Sequence, residues 1–406
     1  MRNTRLCKGG VTAAKGFRAA GVAAEIKYAG RPDVALIVAD APCAAAAVFT
    51  TNKVAAAPVE YDRRVVKSGR AQAILANSGC ANACTGEGGM KDAELSALVT
   101  AGELGIDPGL VLVASTGVIG RRLPMDSLLA GMRKAKASLG RTPGHGLLAE
   151  RAVMTTDTKP KQACARVKIG GRTVTVGGMA KGSGMIEPNM ATMLGFITTD
   201  AAITSAMLRR ALALAIAKSF NRLVVDGDES TNDSVFLLAS GAAGNEPIAR
   251  MGEGFRAFLD ALCAVCTSLA RQMAADGEGA TKFVTVTVKG ARTERDAERA
   301  ARAVAKSPLA KTSWFGRDPN WGRVLAAVGY SGAEVDDSKA EVFYGGEWAY
   351  RRGEIAGERQ LKLLAKAMAG KELDVTVDLH LGKASCSIYT CDFSLDYVHI
   401  NADYTT

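Results

Sequence analysis

Histidine and aromatic residues are scarce in this sequence. Only three of the 406 residues are histidine, and phenylalanine, tryptophan and tyrosine together contribute 5%. No histidine stands next to a serine or cysteine signature, and the pattern G-x-S-x-G is absent, which argues against a Ser-His-Asp triad. A core with few aromatics is built from small and branched side chains. A nucleophile in this chain is therefore expected to use a base other than histidine.

Long apolar runs and blocks of like charge are also missing. No stretch reaches the ~20 apolar residues of a membrane-spanning helix, and no five consecutive residues carry the same charge. The net charge of +10 arises from 51 basic and 41 acidic residues spread along the chain. Without a basic stripe interleaved with aromatics, this balance favours a solvated surface that attracts small anions. We expect neither a membrane nor a nucleic acid as a partner.

The nine cysteines are irregularly spaced, and their odd number argues against a disulfide framework. Cys263 and Cys266 form a C-x-x-C pair, but they lie in a helical pattern without a second pair of ligands, so zinc is weakly supported. We expect reduced thiols in a cytoplasmic protein and no bound metal. The first 24 residues hold five basic and no acidic residues, as in transit peptides, yet they lead into a strand pattern and predict a structured amino terminus.

Strand and helix patterns alternate along the chain and predict a mixed α/β fold. The predicted elements include buried strands over 34–40 and 71–79, helices over 89–105 and 254–275, and hairpins that turn at Gly170–Gly171 and Gly382–Lys383. The acidic loop Asp226–Asp233 is expected to join two strands. Sheets sandwiched by helices are the expected layering.

The segment around Thr192 is rich in glycine and small residues. It contains "GGMAKGSG", and Ala191 precedes the threonine in "EPNMATMLGF". An amino-terminal threonine carries its own base, because its α-amine can take the proton from its hydroxyl. The α-amine has a pKa of ~7.7–8.0, against ~10.4 for lysine, which suits a general base at neutral pH. Thr192 would gain this amine if the Ala191–Thr192 bond were cut.

Cutting the Ala191–Thr192 bond requires an unusual backbone conformation in which the threonine hydroxyl reaches the preceding carbonyl. The upstream glycines permit such a conformation, and the small Ala191 leaves room for a tetrahedral intermediate. The same residues also fit a plain buried strand start preceded by turns, because isolated threonines at strand starts are common. The pattern alone leaves both interpretations open.

Three further segments carry groups suited to acyl chemistry or ligand binding. The strand pattern "VLVAS" runs into Thr116–Gly117, a turn that could offer N–H groups and a hydroxyl to an oxyanion, although an ordinary strand-end turn also fits. The acidic loop misses the EF-hand spacing, so turn hydrogen bonds are favoured over a metal. Glu278, in a glycine-flanked turn after a helix, is expected to be either an exposed carboxylate that clamps an ammonium group or a solvated helix cap.

Together and in order, the motifs resemble the ornithine acetyltransferase (glutamate N-acetyltransferase) family of arginine biosynthesis. The matching stretches span the chain and include "TNKVAAAPV", "NSGCANACTG", "STGVIG", "MTTDT", "KGSGMIEPNMATMLGFITTDA", "DGDESTND", "DGEGATK", "FGRDPNWGR" and "NADYTT". The resemblance implies a layered α/β fold shared with amino-terminal-nucleophile aminopeptidases of the DmpA type. It also implies self-cleavage into an α chain, 1–191, and a β chain, 192–406, which stay associated as an α2β2 heterotetramer.

The resemblance also assigns roles to residues. It implies that Thr192 is the nucleophile, with its new amine as the base, and that Thr116 and Gly117 stabilise the oxyanion. The implied substrate-binding residues are Thr155, Lys181, Thr192, Glu278, Asn401 and Thr406, with Thr156 and Thr158 as alternatives to Thr155. The family loop is closer to "DGDTSTND", so Glu229 is a departure that leaves the role of the acidic loop open.

The implied reaction is the ping-pong transfer of an acetyl group from N2-acetyl-L-ornithine to L-glutamate through an ester on Thr192. No cofactor is expected, because the ester carries the group. Use of acetyl-CoA as an additional acetyl donor stays open. One alternative is a self-processing aminopeptidase or amidase of the same fold, with water as the acceptor. Another is a non-catalytic ligand-binding α/β protein, which would remain a single uncut chain.

Overall fold

The computed structural model describes residues 4–187 and 193–403, which divide into two compact units. The larger unit contains the described residues up to Asn221 together with Asp228–Leu269. The smaller unit contains Arg222–Gly227 and the described residues from Ala270 onward. Each unit has its own sheet and its own hydrophobic core. Within the described ranges, no helix combines the length and apolar character needed to span a bilayer.

The larger unit is built on one large mixed sheet. Its strands are β1 (Thr4–Cys7), β2 (Phe17–Val22), β3 (Val34–Phe49), β4 (Arg70–Asn77), β5 (Val111–Ser115), β6 (Gln162–Ile169), β7 (Arg172–Lys181), β8 (Leu194–Thr199) and β9 (Ser234–Ala239). In the described residues the strand order is β1-β6-β7-β8-β9-β3-β4-β5, and β2 also pairs with β3. Its helices are α1 (Ala57–Val65), α2 (Gly86–Leu104), α3 (Met125–Ala137), α4 (Pro143–Val153), α5 (Ser205–Ala217) and the first part of α6 (Glu253–Ala275).

Helices cover both faces of the large sheet. Successive residues of β3 divide between two buried clusters, because side chains along a strand point alternately to opposite faces. Ile37 belongs to the cluster that contains Ala152 of α4, whereas Leu36 belongs to the cluster that contains Ala97 of α2 and Met132 of α3. The predicted layering, with a sheet sandwiched by helices, is therefore confirmed for this unit.

The smaller unit has a separate sheet. Its strands are β10 (Phe283–Ala291), β11 (Glu341–Tyr344), β12 (Glu347–Arg351), β13 (Glu354–Ile355), β14 (Glu372–Asp378) and β15 (Ala384–Cys391), in the order β13-β12-β11-β14-β10-β15 among the described residues. Its helices are the end of α6, α7 (Glu294–Lys306), α8 (Pro308–Phe315), α9 (Trp321–Gly329), α10 (Glu358–Met368) and α11 (Leu395–Asp403).

Helix α7 shows how the local sequence forms these elements. The Thr293 side chain caps the helix by accepting a hydrogen bond from the Asp296 N–H at 3.1 Å, as preferred cap residues do. Ala297, Ala301 and Val304 recur at helical spacing and are buried in the core of the smaller unit. The polar residues between them face away, as expected for an amphipathic helix.

The structure confirms one predicted hairpin and corrects the other. Strands β6 and β7 pair around Gly170 and Gly171, whose φ angles of 55° and 78° suit a tight turn that favours glycine. The second prediction is wrong, because β14 and β15 do not pair. Strand β10 lies between them, parallel to β14 and antiparallel to β15. A turn sequence cannot reveal that a strand from far earlier in the chain separates its two arms.

Among the remaining local predictions, some are confirmed and one is wrong. The helices over 89–105 and 254–275 correspond to α2 and α6, and the strand predicted over 34–40 is the first half of the longer β3. The strand expected immediately before the acidic loop is absent from the described residues. Phe220–Arg222 is a short 3₁₀ segment, and Leu223 makes only an isolated bridge to Tyr389.

The predicted division into chains 1–191 and 192–406 does not follow the two compact units. Strands β8 and β9 belong to the second predicted chain, yet they extend the same sheet as β7 from the first. Strand β8 pairs with β7 along its whole length, from Val176–Thr199 to Lys181–Leu194. The division concerns cleavage of a peptide bond, and Ala191 and Thr192 lie outside the described residues.

Candidate active site

Two parallel strands end side by side at the centre of the candidate site. Strands β4 and β5 are in register so that Asn77 lies opposite Ser115, and the loops that follow both leave at this edge. The Ser115 hydroxyl donates to Asn77 Oδ1 at 2.7 Å, and Asn77 Nδ2 donates to the Cys80 carbonyl at 2.9 Å. These buried hydrogen bonds fix the turn that contains Thr116.

Glycine is required at position 117 by the close approach of the two loops. A Cβ atom at Gly117 would lie 2.4 Å from the Gly79 carbonyl carbon and 2.6 Å from the Cys80 nitrogen, and φ is +130°. The Thr116 N–H is already donated to the Asn77 carbonyl at 3.0 Å. Among the described residues, no acceptor takes the Gly117 N–H. Of the N–H groups predicted in this turn, that of Gly117 remains available to an oxyanion, together with the Thr116 hydroxyl.

A buried ammonium group lies against this turn. Lys181 is the last residue of β7, and only 9% of the residue is exposed. Its Nζ donates to Thr116 Oγ1 at 3.2 Å. Because an ammonium group has donors only, the Thr116 oxygen must be the acceptor, and the hydroxyl hydrogen is available for another acceptor. Two of the predicted site residues, from distant parts of the chain, are thus in contact.

Asp157 connects the loop of Thr155 to the end of β7. Its carboxylate accepts hydrogen bonds from the Thr155 N–H at 3.0 Å, the Gly182 N–H at 2.7 Å and Lys161 Nζ at 2.6 Å. Burial alone would raise the pKa of Asp157, but the charges of Lys161 and Lys181 and the hydrogen bonds from Lys161 and Gly182 lower it below its usual value. Asp157 is therefore a buried, ionised residue that holds Thr155 and Gly182 together.

A second buried carboxyl group, Glu150 on α4, lies in the same electrostatic environment. Burial raises its pKa to about 8, although the charge of Lys161 acts to lower it. Neither carboxyl oxygen has a hydrogen-bond partner within the described part of the chain. Glu150 is therefore neutral near pH 7, and its interaction with Lys161 is weaker than that of Asp157.

The acidic loop ties several site segments together through hydrogen bonds. Asn232 Nδ2 donates to the Ala81 carbonyl at 2.6 Å and to the Ser115 carbonyl at 2.8 Å. The Asp228 carbonyl accepts from the Glu187 N–H at 3.0 Å. The loop thus reaches both the strand-end turn and the segment that leads towards Ala191. Across the described residues, no three His, Cys, Asp or Glu side chains are grouped to hold a metal.

The departure at Glu229 does not affect the contacts that the structure shows for this stretch. Asn52 Nδ2 donates to the Glu229 backbone carbonyl at 3.1 Å, and the Thr50 hydroxyl donates to the Ser230 carbonyl at 2.9 Å. Both contacts use main-chain oxygens, so they do not depend on which side chain stands at position 229.

In the smaller unit, Glu278 is held by Asn401. Only 7% of Glu278 is exposed, and Asn401 Nδ2 donates to its Oε2 at 2.8 Å. The burial shows that Glu278 is neither the exposed carboxylate nor the solvated helix cap considered above. The neighbouring Gly279 has φ of +67°, and a Cβ there would lie 2.4 Å from the Tyr397 nitrogen. The Ser394 hydroxyl donates to the Gly279 carbonyl at 2.6 Å, which fixes this turn.

The sequence-based site residues therefore fall into three groups. Thr116, Gly117, Thr155 and Lys181 lie together in the larger unit, linked by Asp157. Glu278 and Asn401 are in contact in the smaller unit. Ala191, Thr192 and Thr406 lie outside the described residues.

The residues that sequence reasoning missed are Asp157, Lys161, Asn232 and Glu150. Asp157 and Lys161 are four residues apart, but they lie in the loop between α4 and β6, and this spacing predicts a contact only along a helix. Asn232 and Glu150 carry no signal in the sequence, because only their burial in the fold distinguishes them from other loop and helix residues.

Comparison with known proteins shows which proteins this chain is similar to. "Arginine biosynthesis bifunctional protein ArgJ" from Symbiobacterium thermophilum is 54% identical over 98% of this chain and 99% of its own length. The protein of the same name from Geobacter sulfurreducens is 50% identical over 97% and 99%. A crystal structure of ornithine acetyltransferase with ornithine from Mycobacterium tuberculosis is 45% identical over 47% of this chain and 99% of the solved chain, with a TM-score of 0.43.

These findings define the class of the protein as an acyltransferase of arginine biosynthesis. The chain belongs to the ArgJ family, whose family model matches residues 18–406. The membership predicted from the motifs, in the family of ornithine acetyltransferases or glutamate N-acetyltransferases, is confirmed. The non-catalytic alternative is excluded by the same membership.

Proposed function

We propose that this enzyme transfers the acetyl group of N2-acetyl-L-ornithine to L-glutamate through an ester on Thr192, after the chain has cut its own Ala191–Thr192 bond. The observation that carries the proposal is the contact between Lys181 Nζ and Thr116 Oγ1 at 3.2 Å. Leu194, which follows Thr192 by two residues, is the strand partner of Lys181. The proposed nucleophile is thus two residues along the chain from the strand partner of Lys181, and Lys181 contacts the strand-end turn.

The proposed chemistry needs only groups of this chain and of the two substrates. The Thr192 hydroxyl attacks the acetyl carbonyl and gives its proton to the Thr192 α-amine. The proton then passes to the ornithine nitrogen as the amide C–N bond breaks, which leaves acetyl-Thr192. The glutamate α-amine attacks this ester, the ester C–O bond breaks, and the Thr192 oxygen regains a proton through the α-amine. No proposed step requires a cofactor.

The oxyanion of each tetrahedral intermediate would be bound by the Thr116 hydroxyl and the Gly117 N–H. The Thr116 hydroxyl hydrogen is available because its oxygen accepts from Lys181. The Gly117 N–H is not used by an acceptor of the described chain. Loss of one such donor typically costs on the order of 3 kcal/mol of transition-state stabilisation.

Substrate binding would use one cation and one anion that the fold has buried. We assign Lys181 to the substrate carboxylate and Glu278 to the ornithine side-chain ammonium, since charge-assisted hydrogen bonds are the strongest available to these groups. Thr155, Asn401 and Thr406 complete the proposed set. The relative from Mycobacterium tuberculosis, solved with ornithine, supports this choice of substrate.

A second acetyl donor is proposed from the relatives, which are named bifunctional. Acetyl-CoA would acetylate Thr192, and glutamate would then accept the same group. The test is to supply glutamate with acetyl-CoA and no acetylornithine. Formation of N-acetylglutamate would support two activities, and its absence would limit the enzyme to acetylornithine.

We further propose that the two chains stay associated after cleavage, as an α2β2 assembly in the cytoplasm. Backbone pairing between β7 and β8 crosses the proposed cut, and β8 also pairs with β9. Separation of the chains would break these hydrogen bonds and expose both faces of a buried sheet. The free cysteines of the described chain suit a reducing compartment.

Thr192 variants test the central proposal. Thr192→Ala should give one uncut chain without turnover, because both the hydroxyl and the new amine are lost. Thr192→Ser, the matched control, should still be cut and should keep part of the activity. Mass spectrometry of the wild type should find a chain that begins "TMLGFITTD". Fully active, uncut wild-type protein would refute the scheme.

Glu278→Gln tests the assignment of the ornithine clamp with little change in shape. We expect KM for acetylornithine to rise by tenfold or more, as for loss of one charge-assisted contact worth ~1.5–3 kcal/mol. Acetylation of Thr192 by an acyl donor without an amino side chain should change little. Equal losses for both donors would contradict the clamp. Continued ornithine release without glutamate, beyond one equivalent per active site, would instead favour the hydrolase alternative, because the transferase stops at acetyl-Thr192 when no acceptor is present.

A further inference from the structure

Two cysteines face each other across the first strand pair of the large sheet. Strand β1 pairs antiparallel with β6, and Cys7 is the direct partner of Cys164. Their sulfur atoms are 2.7 Å apart. Directly opposed residues of an antiparallel pair have Cα atoms ~4.5–5.5 Å apart, which lies within the ~4.4–6.8 Å that a disulfide spans. Backbone movement is therefore not needed to bridge them.

The position of the pair suits reaction with a small reagent. Strand β1 is at the edge of the sheet, and Cys7 is half-buried, whereas Cys164 is only 1% exposed. Burial, with a contribution from Cys7, raises the pKa of Cys164 to about 12. Cys7 is thus the accessible thiol that reacts first. Cys164 keeps its proton more firmly, and it can resolve a bond formed on Cys7 because the two sulfur atoms are in contact.

No other two cysteine sulfur atoms lie within hydrogen-bonding distance among the described residues, although all nine cysteines are free there. Cys84 is exposed and has no cysteine partner among the described residues, and on α6 Cys263 is half-buried and Cys266 is buried. The opposed pair is therefore distinguished by its geometry and not by the abundance of cysteine.

We propose that Cys7 and Cys164 are a modification site that forms a reversible intrachain disulfide by exchange with low-molecular-weight disulfides. The Cys7 thiolate attacks one sulfur of the reagent, whose other half leaves as a thiol after taking a proton. The Cys164 thiolate then attacks the Cys7 sulfur, and the second reagent thiol leaves. The protein loses two electrons and two protons, and the reagent disulfide is reduced to two thiols.

The new bond would fasten β1 to β6. In the described chain β1 is joined to the sheet only through β6, over a register of four residues, Thr4–Cys7. A covalent link at the end of this short pairing should slow its opening, since edge segments of this kind open locally at low free energy. The activity of the enzyme is not part of this inference, so its test is independent of the proposed reaction.

The experiment treats the folded full chain with excess oxidised glutathione, blocks the remaining thiols and digests with trypsin. We expect the peptides Leu6–Lys8 and Gln162–Arg166 to be linked, with the mass of two hydrogen atoms lost and restored by reduction. Hydrogen exchange of the β1 amides should slow in the linked form.

Variants decide whether the link is specific. Cys84→Ser should form the same linked peptides, whereas Cys7→Ser and Cys164→Ser should not. The wild-type digest alone decides the case if Cys164→Ser fails to fold. Absence of the linked peptides from the wild type, or persistence of glutathione on Cys7 without the link, would overturn the proposal.

Discussion

Replacing Asp157 by asparagine removes one negative charge from the interior of the larger unit with almost no change in shape. The side chains of Asp157 and Lys161 are 0% and 1% exposed, and their charged atoms are 2.6 Å apart. Asparagine can still accept the Gly182 N–H through its Oδ1. The variant therefore isolates the effect of the charge on Lys161 and on the neighbouring Lys181.

The expected loss of stability is large because removal of one partner leaves a buried charge uncompensated. Such changes typically cost 3–5 kcal/mol, which corresponds to roughly 6–20 °C in the unfolding midpoint of a unit of this size. Lys161→Met should cost less, because Asp157 keeps the Thr155 and Gly182 N–H groups and the charge of Lys181. The double variant should cost less than the sum of the two single variants.

Calorimetry of the four proteins gives this double-mutant cycle. A coupling of about 1–3 kcal/mol is expected for groups in one buried network. The lowered pKa of Asp157 also predicts how the free energy of unfolding changes with pH. The Asp157 carboxylate stabilises the folded state fully above its unfolded pKa of ~3.9, and this stabilisation is lost as pH falls through the folded pKa. The gap between wild type and Asp157→Asn should therefore shrink in strong acid. Additive effects that do not depend on pH would refute the reasoning.

Two further predictions concern Gly117 and Glu150. Gly117→Ala should lower kcat by ~100-fold or more, because the Cβ displaces the backbone that carries the oxyanion N–H. Gly120→Ala is the control, since Gly120 also has a positive φ of 81° but open space around it; steady-state kinetics showing equal losses would contradict the steric argument. Glu150→Gln should stabilise the protein increasingly as pH rises from about 4.5 to about 8. The folded wild type keeps a proton there that the unfolded chain releases, so wild-type stability falls with pH across this range. The gain at pH 7 is on the order of 3 kcal/mol, and a difference in unfolding midpoint that is constant with pH would count against the buried neutral carboxyl.

Local periodicity in the sequence determined much of the fold. The continuous apolar run at the start of β3, the small apolar residues at helical spacing in α7 and the Gly170–Gly171 turn each depend on neighbours within a few residues. Their structures therefore follow from patterns that can be seen without a partner segment. The motifs, in their order along the chain, also indicated the family and the type of reaction.

Contacts between distant segments were decided only by the tertiary structure. The placement of β10 between β14 and β15 depends on which strand edges meet after the chain has folded. Glycine is needed at Gly117 because another loop approaches it within 2.4 Å of where a Cβ would stand. Burial and charge pairing together decide the charge of ionisable groups. Asp157 stays ionised because the charges of two lysines and the hydrogen bonds from Lys161 and Gly182 oppose the cost of burial. Glu150 stays neutral because burial outweighs the charge of Lys161. No local pattern encodes that difference, since desolvation and charge pairing exist only once distant residues have come together.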